Sequence, residues 1–93
     1  MIVVYSDRFY KHLDKIIDTT VLNRAENAIE KFKSANTLRD IPNIKPMEGY
    51  AGFYRHRFGD WRIGFSLETD DSIILLKIGH RSEFYKYFPK NYA

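Results

Sequence analysis

The chain has 93 residues, 44% hydrophobic and 16% aromatic, which suits one packed domain over residues 1–93 and is too short for two. It has no cysteine, which excludes disulfides and cysteine-ligated metals; no apolar run approaches a membrane span, and the N-terminus lacks a signal-peptide pattern, so the expected location is cytoplasmic, with no membrane contact. The net charge of +3 favours an anionic partner, but acids and bases nearly balance in each half, so any basic site must be local.

Ile2-Val3-Val4-Tyr5 is a β-prone run and the expected first strand. Ser6 follows as an N-cap, with Asp7 in the first turn, where the helix dipole favours negative charge. Phe9, Leu13, Ile16 and Ile17 recur at helical spacing. Thr19-Thr20 breaks that helix and caps a second one. Its stripe is Val21, Leu22, Ala25, Ala28, Ile29 and Phe32, and it ends near Ser34-Ala35-Asn36. The short connection predicts an antiparallel helix pair. His12 lies off the first stripe and reads as a surface residue. From Thr37 to Ala51 periodicity lapses, and Pro42 and Pro46 exclude a helix interior. Leu38, Ile41, Ile44 and Met47 tack this segment onto the body, and Ile44 to Met47 leads toward the sheet.

The chain is organised around Gly52 to Leu67. Two aromatic-rich, alternating runs flank Gly59-Asp60, a dipeptide suited to a two-residue β-turn. Such a loop sets Phe58 opposite Trp61, Arg57 opposite Arg62, His56 opposite Ile63, Arg55 opposite Gly64 and Tyr54 opposite Phe65. Alternation then gives one apolar face, Tyr54, His56, Phe58, Trp61, Ile63 and Phe65, and one basic face, Arg55, Arg57 and Arg62 beside small Gly64 and Ser66. Like charges directly opposite weaken a hairpin. Either an anion sits between Arg57 and Arg62, or both splay into water. After a polar turn, Thr69 to Ser72, the run Ile73 to His80 is a central strand. Ile74, Leu76 and Ile78 are expected on one face, Leu75, Lys77, Gly79 and Arg81 on the other. Ser82 to Phe88 is a short aromatic helix stopped by Pro89. The expected fold is α+β: two N-terminal helices packed on a small antiparallel sheet, in the order β-α-α-β-β-β plus a short C-terminal helix. Helices on one face leave the other free.

That order resembles the RelE/ParE superfamily of toxins from type II toxin–antitoxin systems. The motifs that carry the resemblance are Phe53-Tyr54-Arg55-His56-Arg57-Phe58-Gly59-Asp60-Trp61-Arg62-Ile63 and Ile78-Gly79-His80-Arg81-Ser82-Glu83-Phe84-Tyr85. The resemblance covers most of the chain and is strongest from Met47 to Pro89. For RelE-type members it implies entry into the ribosomal A site, cleavage of mRNA there without a cofactor or metal, and inhibition by a cognate antitoxin. Gyrase-poisoning ParE-type members share the same motifs, and a plain RNA-binding module is the third reading. Oligomeric state is left open. By motif position, the basic strand residues correspond to Arg55 and Arg57, the arginine after the turn aromatic to Arg62, the arginine after Gly-x to Arg81 and the C-terminal tyrosine to Tyr85.

The chemistry asks for these residue types. An attacking 2′-hydroxyl loses a proton, the phosphorane gains charge and the 5′-oxygen leaves. Guanidinium groups match phosphate oxygens in planar, bidentate fashion and act best where the transition state gains charge. Arg57 and Arg62 are the expected clamp and Arg81 the leaving-group partner. Tyr85 stacks on a base or orients the hydroxyl. Arg55, Lys45 and Lys77 are expected RNA contacts. Some relatives carry lysine at the position of Arg57, and arginine does not serve as a base. His80 is the first candidate for that role, before His56, Lys45, Glu48 and Tyr85. His56 has core parity and reads as packed. The three histidines lack metal-site spacing.

Overall fold

The computed structural model describes residues 1–93. In chain order it comprises β1 (Ile2–Tyr5), α1 (Asp7–Asp14), α2 (Thr19–Ser34), a 3₁₀ turn (Leu38–Asp40), β2 (Ile44–Pro46), β3 (Phe53–Phe58), β4 (Trp61–Thr69), β5 (Ser72–His80) and α3 (Arg81–Tyr87). The α+β expectation holds, with two refinements. The segment before the hairpin contributes a strand, so the order is β-α-α-β-β-β-β-α. That strand is three residues long and ends in Pro46, which an edge tolerates and a sheet interior does not. The sheet is also not wholly antiparallel. Its order is β1-β5-β4-β3-β2, and β1 joins β5 in parallel while the other pairs are antiparallel. A parallel pair needs a long crossover, and the whole chain between β1 and β5 supplies it.

Local chemistry sets the helix ends. The Ser6 side chain accepts from the Phe9 amide at 3.1 Å. Asp18, not the threonine pair, caps α2, accepting from the Thr20 and Val21 amides. An ionised carboxylate there also meets the positive end of the helix dipole. Phe9 from α1 and Ala25, Ala28, Ile29 and Phe32 from α2 enter one core with Phe58, Ile63, Phe65, Ile73, Leu75 and Ile78 of the sheet. Burying each Phe or Ile there is worth roughly 1.5–3 kcal/mol. Ile17 lies outside this core and is 93% exposed, because α1 has already ended at Asp14.

The faces of β5 differ from strict alternation. Gly64 pairs with Lys77 but Phe65 pairs with Leu75, so Leu76 is an extra residue in a β-bulge. The bulge switches parity. Ile73 and Leu75 face the core before it and Ile78 after it, whereas Ile74 and Leu76 are only half-buried. The second face of the sheet is not left free either. Phe88 is buried over Gly64 and against Phe53, and Phe84, from α3, is buried beside it. A methyl group at Gly64 would lie 2.5 Å from the Phe88 ring, so the glycine is what admits it. The tail then reaches α1, where the Arg8 guanidinium stands 4.1 Å from the Tyr92 ring centroid and donates to the Asn91 carbonyl.

Candidate active site at the hairpin turn

The β3–β4 register matches the sequence expectation at every pair, including Arg57 opposite Arg62. Gly59 has φ +56° and Asp60 does not share the left-handed region, as a type II′ loop with glycine first requires. This turn gathers the cationic residues. Arg62 curls back onto it, its Nη1 donating to the Gly59 and Trp61 carbonyls, both at 3.0 Å. Its Nε donates to the Tyr85 hydroxyl at 3.3 Å, across 23 residues of sequence. Arg62 is therefore half-buried and fixed, while Arg57 remains exposed and uses its backbone N–H on the Asn43 carbonyl. Only Arg62 is tied to the turn, and the two like charges stand on residues directly opposite each other.

Asp60 docks the start of α3 beside them. Its carbonyl accepts from the Arg81 amide at 2.7 Å and its carboxylate lies 3.6 Å from Arg81 Nε. Both side chains are largely exposed, so the pair positions Arg81 more than it stabilises the fold. Tyr85 follows one turn later on α3, 46% exposed, its ring edge-on to Phe84. The turn thus brings together Arg57, Arg62, Arg81 and Tyr85 from three separate elements.

His80 has a different employment. It is the N-cap of α3, and its Nδ1 accepts from the Ser82 amide at 3.2 Å with the Ser82 hydroxyl 2.9 Å away. In that tautomer the proton of the neutral ring sits on Nε2, so the free nitrogen is a donor and not the acceptor a base must offer. His56 is 3% exposed and its Nδ1–H donates to the Pro42 carbonyl at 2.8 Å. Burial, with lesser effects from Lys31 and Arg55, pushes its pKa below the ordinary histidine value against the opposing pull of that hydrogen bond.

The expected RNA contacts are dispersed. Arg55 is half-buried, with Nη1 on the Asn43 carbonyl, and Lys45 stands exposed opposite it on β2. Lys77 is 9% exposed, its Nζ 5.3 Å from the Tyr87 ring centroid. It lines a separate cavity of about 690 Å³ with Arg8, His12, Lys15 and Glu83. His12 is no plain surface residue. Its Nδ1 is buried without a partner, and burial, then the Lys77, Lys15 and Arg8 charges, bring its pKa down to about 4. Burial likewise lowers the Lys77 pKa, helped by Lys15 and Arg8.

Sequence reasoning gave no weight to Arg24 on α2. Its guanidinium lies over Phe58, 5.7 Å from the ring centroid, and against Gly59, where a methyl group would sit 2.9 Å from Nη1. The available signal was an arginine on the polar side of α2 and a glycine at the turn, neither of which names the other.

A model of the family described as the ParE toxin of the type II toxin–antitoxin system parDE matches residues 3–85. Toxin RelE3 of Methanocaldococcus jannaschii is 36% identical over 90 residues, 96% of this chain and 100% of its own length. The RelB–RelE antitoxin–toxin complex from Methanococcus jannaschii contains a chain that superimposes with a TM-score of 0.76 at 31% identity, over 92% of this chain and 99% of that one. The isolated RelE toxin of E. coli shares the fold at a TM-score of 0.60 and 15% identity, over 99% and 98% of the two chains.

Proposed function

The chain belongs to the ParE toxin family and is a toxin of a type II toxin–antitoxin system, and we propose that it acts as a ribosome-dependent mRNA endoribonuclease, in the cytoplasm, restrained by a cognate antitoxin. The observation that carries this reading is the turn itself, where Arg62 is fixed against Tyr85 with Arg57 and Arg81 on either side. A phosphodiester placed over that turn meets Arg62 and Arg57 at the non-bridging oxygens. As the 2′-oxygen gives its proton to solvent water and bonds to phosphorus, those oxygens gain charge, and the guanidinium groups bind them more tightly than in the ground state. The P–O5′ bond then breaks and the departing 5′-oxygen takes a proton from water, leaving a 2′,3′-cyclic phosphate and a 5′-hydroxyl, with Arg81 beside that oxygen. Tyr85, its hydroxyl held by Arg62, presents the exposed part of its ring for a base to stack on. With His80 engaged as a helix cap and His56 buried, acceleration rests mainly on charge stabilisation.

Support for an antitoxin partner comes from the matched complex, which is a RelB–RelE pair. The rival reading is gyrase inhibition of the ParE type, favoured by the family model's own description. Purified protein should be assayed with programmed ribosomes, with the same message free of ribosomes, and in a gyrase supercoiling reaction. Cuts within the reading frame, with little cutting of free message and normal supercoiling, are expected. Intact message together with inhibited gyrase would transfer the protein to the rival reading.

A further inference from the structure

The turn has a second cationic side, which shares only Arg57 with the proposed cleavage site. A cavity of about 420 Å³ opens between α2 and the end of β3, lined by Arg24, Asn27, Lys31, Asn43 and Arg57 with Gly59 at its rim. No carboxylate lines it. Arg24, Asn27 and Lys31 stand on one face of α2 at spacings of three and four residues. None of Arg24, Lys31 or Arg57 takes part in an ion pair, although acidic residues pair with Lys33, Arg81 and Lys86 elsewhere. Three unpaired cations around one polar cavity repel one another, and an anion between them would reverse that cost. The asparagines add neutral donors suited to the same oxygens.

Gly59 joins this cavity to the proposed active site. The Arg24 guanidinium lies against it, and its carbonyl accepts from Arg62 Nη1. Arg57, exposed at the end of β3, lies between the two. A backbone that places one phosphate over Arg62 therefore has a continuous cationic path around the turn to α2.

We infer that Arg24 and Lys31, with Asn27 and Asn43, form a second RNA-phosphate subsite on the far side of Arg57, which holds a phosphodiester away from the scissile one. This inference rests on the ribonuclease reading for its choice of RNA. The same chemistry is offered by the message strand and by ribosomal RNA.

The test is the salt dependence of binding for the Arg24→Ala/Lys31→Ala double variant, compared with wild type and with Arg62→Ala. A short single-stranded RNA with a non-cleavable 2′-deoxy linkage is one probe and empty ribosomes are the other. Losing the one phosphate held there should flatten the slope of log K against log salt by about 0.7 on a single strand. The charge-preserving Arg24→Lys/Lys31→Arg variant should keep most of the wild-type slope, and circular dichroism should show both double variants folded. A flattened slope on the single strand assigns the subsite to the message; one seen only on ribosomes assigns it to ribosomal RNA. Unchanged affinity and slope on both probes would overturn the subsite, while cleavage by the wild type would still stand. Flattened slopes with a wild type that never cuts RNA would keep the subsite and remove the ribonuclease reading.

Discussion

The second face of the sheet is divided in two, and its halves are built on opposite principles. Near the strand ends, Gly64 is buried under Phe88, with Phe84 and Phe53 packed around it. Near the turn, Arg57 and Arg81 stand exposed, and Arg62 is held by carbonyls and a tyrosine hydroxyl. The plugged half is stabilised by removing apolar surface from water. The open half keeps charge in water, unneutralised at Arg57. The difference shows how a small domain secures a site. Aromatic packing at one end fixes α3, and α3 carries Arg81 and Tyr85 to the other. Changes in the plugged half should therefore act on stability and activity together, and changes in the open half mainly on activity, with at most a small effect on stability.

The largest stability effect is expected from Phe88→Ala, which empties the plug. Phe88 is 2% exposed, and truncating such a ring costs about 3–5 kcal/mol. Urea denaturation should show that loss, and activity should fall in parallel as α3 loosens. A stable, fully active variant would erase the division between the halves. Gly64→Ala tests the same contact from below. A methyl group 2.5 Å from the Phe88 ring must displace it, and overpacking of this kind costs about 1–3 kcal/mol. A midpoint equal to wild type would mean that the ring yields freely.

Acid should weaken the packed parts through their buried and half-buried histidines. The folded pKa of His56 is lowered by burial, and that of His12 falls from 6.5 to about 4. Each contributes stability that is complete above the unfolded value of about 6.5 and is lost as pH falls through the folded one. The denaturant midpoint should drop as pH falls from about 6.5 to about 4, and less so in His12→Gln. A flat profile in the wild type would contradict these assignments.

The smallest effect belongs to the open half. Arg57→Thr removes a like charge opposite Arg62 and adds a β-branched residue. A gain of about 0.2–1 kcal/mol is expected at low salt. It should shrink at high salt, because screening already weakens the repulsion in the parent. Cleavage should fall sharply in the same variant. Lower stability at low salt would show that Arg57 is not merely tolerated strain.

The hairpin was legible to the residue because a two-residue turn and strict alternation leave no freedom in register. The same alternation failed on β5, where the bulge at Leu76 moved Ile73 and Leu75 to the core, and no local composition announces such an insertion. Strand β2 was too short to show a period, and Ile17 fell outside α1 because that helix ends at Asp14, three residues before it. Within the site, Arg57, Arg62, Arg81 and Tyr85 came from motif positions, whereas the Arg62–Tyr85 hydrogen bond, the capping role of His80 and the approach of Arg24 to Gly59 join residues distant in sequence or depend on a helix start. Packing decides those, and spacing does not encode it.

The central claim is that the turn cuts message by stabilising charge through a fixed arginine. It is tested most directly by primer extension on translated message with wild type and Arg62→Ala side by side, each shown to be folded. Removing one preorganised donor of this kind costs about 10²- to 10³-fold in rate. The account predicts that Arg62→Ala keeps a near-wild-type denaturant midpoint and loses in-frame cleavage by about that factor. In-frame cutting by the folded variant at the wild-type rate would contradict it.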